Sequence, residues 1–108
     1  MMENHILEKL YMVIQTRESA NPATSYTAKL LSGNVTQIAK KVGEEAVETA
    51  LAAVSGSKTS LISESSDLLY HLLVLWKATG VSTRDVWAEL DARFDMSGIE
   101  EKDTRDST

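Results

Sequence analysis

Residues 41–53, Lys-Val-Gly-Glu-Glu-Ala-Val-Glu-Thr-Ala-Leu-Ala-Ala, place Glu44, Glu45 and Glu48 inside an otherwise apolar, alanine-rich run. On a helix, which advances about 100° per residue, Glu45 and Glu48 share a stripe, and so do Glu44 and Glu48. Carboxylates so spaced repel each other by a few tenths of a kcal/mol per pair unless something neutralises them. A second stretch, Glu64-Ser-Ser-Asp67 at the head of the apolar run that ends at Trp76, repeats the arrangement. Two such helices packed antiparallel bring four or five carboxylates to one spot. Mg²⁺, or Mn²⁺, is the natural occupant, because hard divalent cations take oxygen ligands.

Charge on a helix is usually a solvated face. Three features weaken that reading here. The glutamates lack a cation at i+4, since Thr49 follows Glu45 and Ala52 follows Glu48. They lie among Ala and Leu. The pattern also occurs twice, on consecutive helices.

The 108 residues suit one domain, and a hydrophobic content of 43% argues against disorder. Without cysteine there is no disulfide framework and no thiolate metal site. No apolar run approaches the ~20 residues of a membrane span. The N-terminus, already amphipathic, lacks a signal-peptide pattern, so a cytoplasmic protein without a membrane partner is expected. A net charge of −5 argues against sequence-independent nucleic-acid binding. An anionic substrate then requires local positive charge or a metal.

Period and punctuation predict an all-α bundle of about five helices, with no competing strand alternation. The first covers 4–18 with Asn4 as cap, closed off by Pro22. A short helix is capped by Ser25 and stopped by Gly33. Asn34 caps a long helix whose apolar stripe is read as Val35, Ile38, Val42, Ala46, Ala50, Ala53 and Val54. Gly43 in its middle costs about 1 kcal/mol relative to Ala, which suggests a close approach there by another helix or a ligand. After Ser55-Gly-Ser57, Thr59 or Ser60 opens the most apolar helix, expected to be central and to end at Gly80. Ser82 and Asp85 form a capping box for the fifth helix, with Val86, Trp87, Leu90 and Phe94. Residues 1–95 thus form the domain and 96–108 a polar tail, expected to be mobile or to order only on a partner or substrate.

Other side chains carry open alternatives. His71, one turn after Asp67, is read as a core histidine bonded to that turn rather than as an orienter of a ligand carboxylate. Tyr70 and Trp76 read as core, and His5 as surface. Lys40, Lys41 and Arg17 are either solvated cations or phosphate contacts.

The pattern Glu44-Glu45-x-x-Glu48, fifteen intervening residues, then Glu64-x-x-Asp67 resembles the signature of the MazG-like all-α nucleotide pyrophosphohydrolases. The flanking segments are more specific. Ser25-Tyr-Thr-Ala-Lys-Leu, Ile38-Ala-Lys-Lys-Val-Gly-Glu-Glu-Ala-Val-Glu48, Asp67-Leu-Leu-Tyr-His-Leu-Leu-Val74 and Ser97-Gly-Ile-Glu-Glu-Lys102 are similar to the phosphoribosyl-ATP pyrophosphohydrolase family. That resemblance implies hydrolysis between the α and β phosphates of phosphoribosyl-ATP, the second step of histidine biosynthesis. It implies Glu45, Glu48, Glu64 and Asp67 as Mg²⁺ ligands, with Glu44 as a further ligand or an orienter of the attacking water. Lys41, Lys40, Arg17, Ser25 and Tyr26 would contact phosphate or the ribosyl groups. A homo-oligomer, at least a dimer, would complete the bundle. Some members carry a fused cyclohydrolase domain; none lies within these residues, so a monofunctional chain is expected. The alternatives are a house-cleaning nucleoside triphosphate pyrophosphatase of the same superfamily and a non-catalytic helical interaction module. A di-iron carboxylate bundle needs Glu-x-x-His pairs, and neither His5 nor His71 lies three residues after a Glu.

Overall fold

The structure is a computed structural model that describes residues 5–94. Asn4 and the 96–108 tail, with its Ser97–Lys102 segment, lie outside the described residues. Five helices and no strand occur among those described: α1 Ile6–Arg17, α2 Tyr26–Ser32, α3 Val35–Ser55, α4 Lys58–Thr79 and α5 Thr83–Arg93.

The ends of these helices follow from side chains a few residues away. His5, and not Asn4 as expected, is the cap of α1, its Nδ1 accepting from the Leu7 amide at 3.1 Å. Ser25 Oγ accepts from Ala28 N at 3.1 Å and Asn34 Oδ1 from Gln37 N at 2.9 Å, as their positions predict. Helices α3 and α4 each close on a left-handed glycine, Gly56 at φ 80° and Gly80 at φ 79°. Ser57 caps α4, so that helix starts at Lys58, slightly earlier than Thr59 or Ser60. The Ser82–Asp85 capping box is formed in both directions.

With only Gly56 and Ser57 between them, α3 and α4 form an antiparallel hairpin. Helix α4 is central, packing on α3, α1 and α2. Tyr11, Ile14, Ile38, Leu73 and Val74 form the core, with Leu10, Leu30, Leu31, Leu75 and Trp76 around it. At the far side Tyr11 donates to the Val81 carbonyl at 2.8 Å, and Trp76 meets Trp87 edge-on with ring centroids 6.0 Å apart. Glu8 of α1 accepts from Thr83 Oγ1 at 2.8 Å and from Trp87 Nε1, tying α5 to α1.

One expectation about α3 is corrected. Its inward stripe is Ile38, Val42, Glu45, Thr49 and Ala52, whereas Ala46, Ala50, Ala53 and Val54 face outward. A stripe drawn through apolar residues alone is rotated, because two polar residues take the seam with α4. The outer face is also apolar: Val47, Leu51 and Val54, spaced at i, i+4 and i+7, are 59%, 63% and 85% exposed. Among the described residues no other helix approaches Gly43, since a Cβ built there meets nothing within 4 Å, which leaves a ligand or a second molecule for that approach.

Candidate active site

The antiparallel hairpin sets Glu45 and Glu48 of α3 opposite Glu64 of α4. One carboxylate oxygen from each lies within 4.8 Å of the others. Thr49, one turn beyond Glu45, holds the two helices of the hairpin in register. Its Oγ1 sits 2.7 Å from the Glu45 carbonyl and 3.1 Å from the Glu64 carbonyl, so one hydroxyl proton is shared across the seam. The spacing of acids did not reveal Thr49. Correct placement of the inward stripe would have, because Thr49 is the only hydroxyl on it.

Glu45 is 8% exposed and Glu64 half-buried, while Glu48 and Asp67 open to solvent. Glu45 Oε2 and Glu64 Oε2 are buried with no hydrogen-bond partner among the described residues. Burial raises the Glu45 carboxyl above its ordinary value, and repulsion from Glu48 adds to this. The Glu64 carboxyl is raised first by hydrogen bonding with Glu48, then by burial and by the charges of Glu48, Glu45 and Asp67. Each group is thus held against the ionised form that neutral water would give it.

A buried polar atom without a partner is costly, and both such atoms belong to carboxylates of this trio. All the donors are carboxylate oxygens, the ligand type of hard divalent cations. Opposite ligands of Mg²⁺ stand about 4.2 Å apart, twice the ~2.1 Å bond length. The 4.8 Å limit on this trio is only slightly wider. The donor set therefore fits Mg²⁺ or a similar ion. Asp67 falls outside the trio but close enough to raise both Glu45 and Glu64. Glu44 is not one of the trio; it pairs with Lys41 at 3.6 Å and lines an opening together with Glu48.

Lys41 also reaches Glu45 Oε1 at 3.7 Å. Its ammonium is held above the ordinary lysine value, first by the Tyr26 hydroxyl and then by Glu44 and Glu45. Tyr26 in turn lies 3.0 Å from His71 Nε2, while His71 Nδ1 lies 2.8 Å from the Asp67 carbonyl. A carbonyl only accepts, so Nδ1 carries the proton, and in the neutral ring Nε2 accepts from the Tyr26 hydroxyl. His71 is thus the buried core histidine, bonded to the turn below it. It also locks Tyr26, whose ring stacks on Tyr70 at 6.2 Å; Tyr70 is hydrogen-bonded to Thr27.

The remaining sequence-nominated residues lie around this centre. A cavity of about 480 Å³ between α2 and α3 is lined by Tyr26, Lys29, Lys40 and Lys41 among others. A more open one of about 620 Å³ lies over Gly43, Glu44, Val47 and Glu48. Glu44 borders both. Ser25 is buried and engaged in capping α2, directly before Tyr26. Arg17, exposed at the end of α1, lines neither cavity and acts electrostatically on Tyr70.

The chain is similar to known proteins over nearly its whole length. The family model described as phosphoribosyl-ATP pyrophosphohydrolase matches residues 7–94. A phosphoribosyl-ATP pyrophosphatase of Azospirillum brasilense is 52% identical over 94% of this chain and 92% of its own length. One from Paramagnetospirillum magneticum is 53% identical over 95% and 94%. A third, from Methylobacterium radiotolerans, is 52% identical over 96% and 97%.

Proposed function

The chain belongs to the phosphoribosyl-ATP pyrophosphohydrolase family, and from that premise we infer that the carboxylates of the α3–α4 seam are the working centre of its reaction. The enzyme hydrolyses phosphoribosyl-ATP to phosphoribosyl-AMP and pyrophosphate, in histidine biosynthesis. The observation that carries the site assignment is the convergence of Glu45, Glu48 and Glu64 with two buried oxygens that no donor meets.

Glu45, Glu48 and Glu64 would hold Mg²⁺, with Mn²⁺ as substitute, and Asp67 would join them from the next turn of α4. A bound cation supplies charge neutralisation for the polyphosphate and lowers the pKa of water. The protein's own groups do the rest. Glu44, on the rim beside the trio, orients the attacking water or serves as a further ligand. Lys41, drawn in by Glu44 and Glu45, puts an ammonium where phosphate charge arrives. Lys40 and Tyr26 contact the substrate from the α2–α3 cavity, and Ser25 acts through the cap that sets Tyr26. Arg17 adds positive potential from the end of α1. Rigid helices suit this work, since a ligand set displaced by 1 Å loses much of its rate advantage.

A second copy of the chain completes the bundle in this reading. The exposed stripe Val47, Leu51 and Val54 and the open space at Gly43 support it. Light scattering at micromolar concentration should give at least twice the 11.9 kDa of one chain; a monomer would remove the oligomer from the reading. No described helix is long and apolar enough to cross a membrane, consistent with work in the cytoplasm.

The test of function is pyrophosphate release from phosphoribosyl-ATP with and without Mg²⁺, beside a panel of nucleoside triphosphates. Mg²⁺-dependent turnover with phosphoribosyl-ATP as the best substrate is expected. Faster turnover of a non-standard or deoxynucleoside triphosphate would assign the chain to the house-cleaning branch.

A further inference from the structure

We propose that the cavity between α2 and α3 receives the sugar phosphate arm of the substrate, with Lys29 and Lys40 on its phosphate, Gln37 toward its hydroxyls and the Tyr26 ring as its wall. The inference rests on the reading above that phosphoribosyl-ATP is the substrate, and it names where the part absent from ATP is bound.

The first argument is charge. In a chain of net charge −5, three lysine side chains surround one opening. Lys41 is committed to Glu44 and Glu45. Lys29 and Lys40, both exposed, make no ion pair among the described residues. The one acid that lines the cavity, Glu44, is paired with Lys41, and two further ammonium groups that no carboxylate pairs are suited to a phosphate, which each meets as a compact point charge.

The second argument is shape and chemistry. At about 480 Å³ the cavity lies within the ~300–1,000 Å³ of small-molecule sites and is roomier than a bare phosphate requires. Leu30 and the Tyr26 ring give it an apolar side, and Gln37 an amide that both donates and accepts. Apolar wall, amide and ammonium together match a ribose phosphate; an inorganic pyrophosphate would leave the wall and the amide unused. The wall is also rigid before anything binds. His71 accepts the Tyr26 hydroxyl proton at 3.0 Å and Tyr70 backs the ring.

The third argument is position. Lys41 stands between the cavity it lines and Glu45, 3.7 Å away. A ligand with its anhydride at Glu45, Glu48 and Glu64 therefore passes Lys41 to reach the cavity. The phosphoribosyl arm is the part of this substrate that ATP lacks, so the cavity sets specificity while the carboxylates set the reaction.

Steady-state kinetics on the full chain with Mg²⁺ test this. Lys29→Gln should raise KM for phosphoribosyl-ATP about tenfold or more, the effect of losing one charged hydrogen bond. Its effect on kcat should be smaller, and the Ki of ATP as competitor should not move. Lys58→Gln, the same charge change at the far end of the hairpin, should leave KM unaltered. An equal rise in the Ki of ATP would mean the cavity holds the triphosphate, and an unmoved KM would mean it holds nothing; either overturns the proposal. An NMR titration that needs no turnover separates the two readings. Ribose 5-phosphate should shift the amide signals of Tyr26, Lys29 and Gln37 in the wild type, and much less in the Lys29→Gln/Lys40→Gln double variant. Shifts from inorganic pyrophosphate in place of ribose 5-phosphate, or from neither, overturn the subsite whatever the turnover assay gives. A wild type inert toward phosphoribosyl-ATP would instead defeat the functional reading.

Discussion

Two seams of this molecule bury carboxylates, and they treat them in opposite ways. In the α1–α5 seam, Glu8 is half-buried and each of its oxygens accepts from a neutral donor, Thr83 Oγ1 and Trp87 Nε1. In the α3–α4 seam, Glu45 and Glu64 each keep one buried oxygen that nothing meets, and their nearest polar neighbours include other carboxylates. Burial alone does not tell a structural acid from a working one. The partners do: in the first seam donors meet both oxygens, and in the second two buried oxygens are left without one, which is where the proposed cation would act.

The largest effect expected from breaking this contrast is on activity. Glu48→Gln removes the carboxylate that lies between Glu45 and Glu64, and pyrophosphate release should fall by more than the ~10–100-fold typical of groups behind the ligands. Circular dichroism should stay helical. Retention of a tenth of the activity would contradict its place among the ligands. Glu8→Gln should leave kcat close to wild type.

Stability separates the seams next. Mg²⁺ at 100 times its dissociation constant should add about 2.7 kcal/mol to the wild type, since it binds only the folded site. The gain should be much smaller in Glu48→Gln. Without metal that variant should melt at or above the wild type, because one repelling charge is gone. An apo variant several degrees less stable, with its Mg²⁺ shift intact, would make the trio structural or solvated.

Glu8→Ala should behave in the reverse manner. It leaves the Trp87 and Thr83 donors without their acceptor, a loss of about 1–3 kcal/mol. At roughly 4–8 °C per kcal/mol for a domain near this size, thermal melts read that easily. The loss should be the same with and without Mg²⁺. Thr49→Val is milder, about 0.5–1.5 kcal/mol for one hydrogen bond, but it releases the register of the acids and should weaken Mg²⁺ binding in a calorimetric titration, while Thr49→Ser should restore it.

The smallest effect is a slope. The Glu45 and Glu64 carboxyls are raised in the folded apo protein. The unfolded chain therefore gives up these protons first, near the ordinary glutamate value of about 4.3. Their contribution is absent well below that pH and becomes destabilising as pH rises through it toward the folded values. Apo wild-type stability should decline over that window more than that of Glu48→Gln, and denaturant titrations from pH 4 to 8 in EDTA would show it. A steeper decline in the variant would mean that repulsion within the trio is not the cause.

The number of helices and most of their ends were legible in the chain, because they depend on residues within about four positions of each other. Ser25, Asn34, Ser82 and the glycines at 33, 56 and 80 act through such contacts. Acids at 45, 48, 64 and 67 were legible for the same reason, as i,i+3 pairs on consecutive helices. The face of α3 that turns inward was not, because that choice is made by α4. Glu45 and Thr49 look polar and thus external until the opposing helix brings Glu64 against them. Only the packed hairpin decided that Glu64 joins Glu45 and Glu48 while Asp67 stands one turn aside and Glu44 turns to Lys41. The packing of α2 on α4 decided in turn that His71, 45 residues from Tyr26 in sequence, bonds to it. Spacing along one helix specifies which side chains can meet; which of them do meet is set by the distance and register of a second helix, a long-range quantity that no local pattern encodes.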